Sequence, residues 1–172
     1  MRKTLIFLIL LVSLFESVRA QKGDKSISAG PLISFPLEKH TIPGYKTGVG
    51  IEVTGQYYLA SKSSLLGQIG LTSFGTRQVL NSYEKNLKLM SLKGGYRYDI
   101  GSSGFFINGL VGTDIDTEDG FTSAAFTLGA GKRFPVKDVY FIDAGIDYIG
   151  GDTEKRVNIK VAFSILQRPK KG

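Results

Sequence analysis

From Ile27 onward the apolar residues recur at every second position, in stretches of about ten residues, and no 3.6-residue period competes with them. That pattern predicts two-faced β-strands. The cleanest runs from Gly48 to Leu59, with Val49, Ile51, Val53, Tyr57 and Leu59 on one face and Gly48, Gly50, Glu52, Thr54, Gln56 and Tyr58 on the other. Gly55 is the one gap in its apolar face. A later strand sets Tyr140, Ile142, Ala144, Ile146 and Tyr148 against Asp143, Gly145 and Asp147. The last sets Val157, Ile159, Val161, Phe163 and Ile165 against Asn158, Lys160, Ala162 and Ser164.

Five further segments alternate less cleanly: Lys25 to Phe35, Leu65 to Phe74, Leu87 to Tyr98, Phe105 to Asp114 and Thr122 to Phe134. Leu87 and Leu89 read as a break in phase, and Lys132 falls on an apolar face. The connections alternate in length. Those at Leu37 to Thr47 and Gly75 to Asn86 are long and polar, while Ser61 to Ser64, Asp99 to Gly104 and Pro135 to Asp138 are short. Ile115 to Gly120 and Gly151 to Arg156 are intermediate. Eight strands with short turns at one end and longer loops at the other predict an all-β fold, an antiparallel up-and-down barrel.

The amino-terminal segment does not join this pattern. Arg2 and Lys3 precede an apolar run from Leu5 to Phe15, and Val18-Arg19-Ala20 precedes Gln21. This is the layout of a secretory signal peptide over 1–20, cleaved after Ala20, leaving one domain over 21–172. An uncleaved anchor is the alternative, but the run is about half the roughly 20 residues needed to span a bilayer. Losing the leader removes three basic residues and one acidic, so the formal charge falls from +7 to +5. The chain has no Cys and no Trp, which excludes disulfide scaffolds, thiol nucleophiles and lipidation at a new terminal cysteine.

Alternation alone does not say which face meets water. Three features favour a transmembrane barrel over a soluble one. The polar face mixes Glu52, Lys93, Arg97, Asp114, Arg133, Asp143, Asp147 and Lys160 with many glycines, as a narrow interior that must neutralise its own charges requires. Aromatics fall where two rims would lie: Tyr140 and Tyr148 bracket one strand, and Tyr57, Tyr96, Tyr98, Phe105 and Phe134 lie near short-turn ends. Eight strand residues rise roughly 20 Å, near the lipid-facing band of about 25 Å. The strands are also long, as membrane strands must be. With the leader, this points to the outer membrane of a Gram-negative cell.

The stretches Ala29-Gly30-Pro31-Leu32-Ile33-Ser34-Phe35-Pro36, Gly48-Val49-Gly50-Ile51-Glu52-Val53 and Lys93-Gly94-Gly95-Tyr96-Arg97-Tyr98 resemble the outer-membrane protein β-barrel domain family. So do Gly129-Ala130-Gly131-Lys132-Arg133-Phe134 and Ile159-Lys160-Val161-Ala162-Phe163. The resemblance covers nearly all of 21–172. It implies a small porin-like barrel held in lipid and lipopolysaccharide and inserted by the barrel assembly machinery. Such barrels often end on an aromatic residue, whereas Gln167-Arg168-Pro169-Lys170-Lys171-Gly172 follows the last strand here, leaving Phe163 as the nearest substitute.

Chemistry-bearing patterns are few. His40 is the only histidine, in the first long loop, with no strand-borne serine and carboxylate matching it as a triad. Asp114-Ile115-Asp116-Thr117-Glu118-Asp119-Gly120 carries four carboxylates, but Asp119 and Ala125 stand where a calcium loop needs Gly and Glu. It reads as a solvated acidic hairpin, with weak divalent binding as the alternative. Gly129-Ala130-Gly131-Lys132 lacks phosphate-loop spacing, and scattered basic residues argue against nucleic acid. The expectation is a non-catalytic outer-membrane barrel with a charged, side-chain-filled lumen, no cofactor and no metal, acting structurally or through its longer loops. Three alternatives stay open: a soluble periplasmic barrel binding an apolar ligand on the Val49, Ile51, Val53 face, a lipid-modifying enzyme using His40, and a narrow pore. Amino-terminal sequencing of protein recovered from cell envelopes is expected to begin at Gln21; a chain retaining Met1 would make the leader an anchor.

Overall fold

The computed structural model describes residues 22–37, 45–76, 87–151 and 155–168. The expected leader, His40, and most of the loops expected at Leu37 to Thr47 and Gly75 to Asn86 lie outside the described residues. Eight strands follow in chain order: β1 Lys25–Pro36, β2 Tyr45–Ala60, β3 Ser63–Thr76, β4 Leu87–Ile100, β5 Phe105–Asp116, β6 Thr122–Lys137, β7 Tyr140–Gly151 and β8 Arg156–Gln167. Each pairs antiparallel with its chain neighbour, and β1 pairs with β8, so the sheet closes on itself as an up-and-down barrel. The strands run one to three residues beyond the alternation at most ends, because pairing continues past the last residue whose face is unambiguous.

The register fixes the shape. Starting at Tyr58, the directly paired residues are Ser64, Arg97, Asn108, Gly129, Asp147, Asn158, Ser34 and then Gly48. One circuit therefore returns to β2 ten residues from where it began. Ten residues of stagger amount to about 33 Å along the strand, against about 38 Å for eight interstrand spacings, so the strands tilt by about 40°. The β1–β8 ladder is interrupted at Gly30 and Pro31 without a change of register, since Pro31 has no N–H to donate. Pro135 sits at a bulge in the β6–β7 pairing.

The apolar faces point outward. Val49, Ile51, Ile69, Val111, Leu128 and Ile146 are each more than half exposed along the middle of the wall. Tyr57, Tyr96, Tyr98, Phe105, Phe134 and Tyr140 are exposed at the short-turn end, while Tyr148 lies half-buried toward the other end beside Phe126, 6.0 Å between ring centroids. Phe163 stacks on Tyr140, 5.7 Å between centroids. Lys132 also faces outward, with its ammonium 4.9 Å from the Phe105 ring and 5.3 Å from the Phe134 ring.

The interior holds polar residues through its middle and apolar ones at its ends. Tyr58, Phe141 and Leu166 pack together near the short turns, and Phe74, Leu87 and Leu89 toward the long loops. Leu87 and Leu89 are therefore not a break in phase. They share the inward parity of Ser91 and Lys93, and they are buried against Phe74 on the neighbouring strand.

Glycine is obligatory where strands crowd inside. A Cβ on Gly112 would lie 2.1 Å from the Leu92 carbonyl oxygen, whereas one on outward-facing Gly67 would meet nothing within 4 Å. Gly112→Ala is expected to destabilise the barrel by about 1–3 kcal/mol, the usual cost of overpacking, while Gly67→Ala leaves it unchanged or slightly more stable. Urea unfolding of barrels refolded in lipid vesicles measures both.

Candidate functional site: the ion-paired lumen

The inward charges gather in three clusters. Nearest the short turns, Arg133 and Asp143 stand directly opposite on β6 and β7 and meet side by side, Nε to Oδ1 and Nη2 to Oδ2 both at 2.7 Å. Arg133 also donates to the Tyr58 hydroxyl and, at 3.3 Å, to Gln56 Oε1. Across the lumen, Arg97 Nη1 reaches the same Asp143 at 3.3 Å, Ser164 Oγ donates to it at 3.0 Å, and Arg97 Nε holds Asp99 at 2.8 Å. The Arg97 guanidinium lies 3.6 Å from the centre of the Phe106 ring, so its apolar face is covered while Nε and Nη1 are paired.

Nearer the long loops, Asp114 accepts from Ser91 Oγ at 2.6 Å and from Arg156 Nη2 at 2.7 Å, with Lys93 Nζ 3.3 Å away. Lys93 also donates to Thr127 Oγ1 at 3.3 Å. In the third cluster Lys160 Nζ lies between Asp147 Oδ2 at 2.6 Å and Glu52 Oε1 at 2.7 Å. Formal charges balance within the first cluster. The second carries one excess positive charge and the third one excess negative, so the three together are neutral.

All eight charges read from the alternation, Glu52, Lys93, Arg97, Asp114, Arg133, Asp143, Asp147 and Lys160, lie inside and in ion pairs. Asp147 pairs with Asn158 and Lys160 with Gly145, and the lysine's length bridges the two-residue offset. One detail differs from the sequence reading. Arg156, expected at the end of a loop, begins β8 and is only 1 % exposed. Its parity with Asn158 and Lys160 was the available signal, obscured by the adjoining Lys155. At Gly129 the side-chain oxygens Asp147 Oδ1 and Asn108 Oδ1 fill the space a Cβ would take, 1.9 and 2.3 Å from its position.

The acidic hairpin divides between two tasks. Asp114 points inward to Arg156, while Asp116 Oδ1 accepts the Glu118 amide at 2.8 Å and shapes the turn that Gly120 completes at φ 69°. Among the described residues no group of three His, Asp or Glu side chains gathers as a metal site requires. The apolar-carrier alternative fails on geometry: Val49, Ile51 and Val53 are 64, 60 and 42 % exposed on the outer wall, not directed into a cavity.

No protein-family model matches the chain, and no curated protein matches it either. Solved structures do. Ail, the attachment invasion locus protein of Yersinia pestis, superposes with a TM-score of 0.62 at 20 % identity, over 86 % of this chain and all of that one. OprG of Pseudomonas aeruginosa gives 0.62 at 12 % identity, over 88 % of this chain and 99 % of that one. Neisserial surface protein A gives 0.56 at 12 %, over 84 and 97 %. The fold is that of the small outer-membrane β-barrels. Its closed eight-stranded antiparallel wall and its superposition on three such proteins over 84–88 % of this chain place the architecture in that class.

Removing the carboxylate of Asp143 leaves two buried guanidinium groups without their shared partner. Asp143→Ala is expected to cost about 3–5 kcal/mol, whereas removing the charge on both sides, in Arg133→Met with Asp143→Leu, costs less than the single change, Arg97 keeping Asp99. Unfolding midpoints of the two variants in one lipid system decide the order.

Proposed function

We propose that the protein is an integral outer-membrane barrel without catalysis, whose wall sits in lipid, whose lumen is a polar plug, and whose longer loops make contact outside the cell. The observation that carries this is the reversed polarity of the cylinder. Its outer wall is a continuous apolar band, while Asp114, Asp143, Asp147, Lys93, Arg97 and Arg156 are buried within. In water that arrangement would expose the greasy face and spend ion pairs on the core; in a bilayer both faces are matched to their surroundings. Short turns at 61–62, 101–104 and 138–139 then face the periplasm. The likeness in fold to outer-membrane proteins supports the same location. Lipopolysaccharide around the upper wall and the barrel assembly machinery during insertion are the partners this location entails.

A plug rather than a pore is supported by the cross-lumen contacts of Arg97 and Arg133 and by the Tyr58, Phe141 and Leu166 cluster, which joins β2 to β7 and β8 near the short turns. An eight-stranded cylinder is only wide enough for such side chains to fill. Contact or adhesion is assigned to the long loops by position alone.

Fractionation of cell envelopes tests the reading. The folded chain is expected in the detergent-soluble outer-membrane fraction, with migration on unheated gels that shifts on boiling and circular dichroism dominated by strand. Release of folded protein into buffer without detergent would exclude it. In planar bilayers the wild-type barrel is expected to show no steady conductance steps; regular steps would make the lumen a path.

A further inference from the structure

The two rims of the barrel differ in charge. At the short-turn end Lys22, Lys25, Lys62, Lys137 and Arg168 are exposed, and Lys132 is held outward between Phe105 and Phe134. Among the described residues at that end, Asp138 is the one exposed carboxylate, since Asp24 is buried and Asp99 is taken by Arg97. At the opposite end Lys46, Lys88 and Lys155 are mixed with Asp116, Glu118 and Asp119, and Lys88 lies 3.7 Å from Glu118. Among the described residues the excess of positive charge therefore belongs to one rim.

From that same rim an open groove of about 590 Å³ runs along the outer wall across β1, β2 and β3. Ile27, Tyr57 and Leu65 form its apolar sides, Lys25 and Gln167 stand at its mouth, and the backbone at Gly67 lies in its floor. Lys25 is directly opposite both Tyr57 and Gln167 in register, which sets an ammonium, a phenol and an amide in a row at the aromatic rim. Because the register row climbs away from the short turns as it passes from β1 to β3, the groove leads from the rim into the apolar band.

We propose that this rim binds an anionic glycerophospholipid, its phosphate at Lys25 within the collar of lysines and one acyl chain laid in the groove between β1 and β3. The chemistry of each half is met. A cation beside hydrogen-bonding groups suits a phosphodiester, and an apolar trough continuous with the lipid-facing wall suits a hydrocarbon chain. Lys132, held by two rings at the same end of the barrel, gives a second contact for the negative surface. The inference rests on the wall being lipid-facing, which the gel shift on boiling tests separately.

Native mass spectrometry of the full mature barrel, released from micelles supplied with equal phosphatidylglycerol and phosphatidylethanolamine, measures the site. The expected result is one retained phosphatidylglycerol per barrel, favoured at least fivefold over phosphatidylethanolamine. Lys25→Gln is expected to remove most of that preference, and Gly67→Leu, which fills the groove, to reduce retention of either lipid at least fivefold. Lys88→Gln, at the other rim, should change neither, and all three variants should still shift on boiling. Equal retention of the two lipids, or retention unaltered in Lys25→Gln, overturns the proposal. So does a doubled mass that Gly67→Leu abolishes, which would make the groove a contact between two barrels.

Discussion

The structure depends on one constraint: a cylinder of eight strands is too narrow to hold bulk water, so every charge placed inside must find its counter-charge inside. Five basic side chains meet this requirement, four of them through carboxylates that each serve two. Asp143 takes Arg133 side by side and Arg97 from across the lumen, and Asp114 takes Arg156 and Lys93. Sharing joins strands that the backbone ladder does not join. Arg97 on β4 and Asp143 on β7 are three strands apart along the sheet yet in contact through the interior.

Such pairs are not a simple source of stability. Desolvating two ions costs about as much as their attraction returns, and well-packed apolar residues of the same volume often do as well. What the pairs provide is exclusivity. A register slip of one residue in β6 or β7 would turn Arg133 or Asp143 toward the apolar surroundings and strand its partner, so the ionic interior penalises wrong pairings far more than an apolar one would. The neutral sum of the three clusters extends this argument to the barrel as a whole.

The wall answers to the same narrow geometry. A stagger of ten residues sets a tilt of about 40°, and the tilt brings neighbouring strands close enough on the inner side that Gly112 has no room for a side chain. The space Gly129 gives up is occupied by the Asp147 and Asn108 oxygens, so the glycine and the charge network are parts of one packing arrangement. Outside, where the surface is convex, Gly67 is under no such pressure, and the relief it leaves is available to the surroundings rather than to the barrel.

The alternation of apolar and polar residues determined the number of strands, their order, the alternating lengths of their connections, and the faces of Glu52, Lys93, Arg97, Asp114, Arg133, Asp143, Asp147 and Lys160. It could do so because side-chain direction in a strand has a period of two and depends on nothing beyond the strand itself. Which charge meets which was decided only by closure. Lys160 reaches Asp147 across a two-residue offset, and Arg156 joins Asp114 from a strand end that resembled loop, because both contacts depend on the stagger accumulated around the whole circuit. Leu87 and Leu89 make the same point in apolar form. Their sequence shows only a face, and the tertiary structure decides that this face, at that height, meets Phe74 within the lumen rather than lipid.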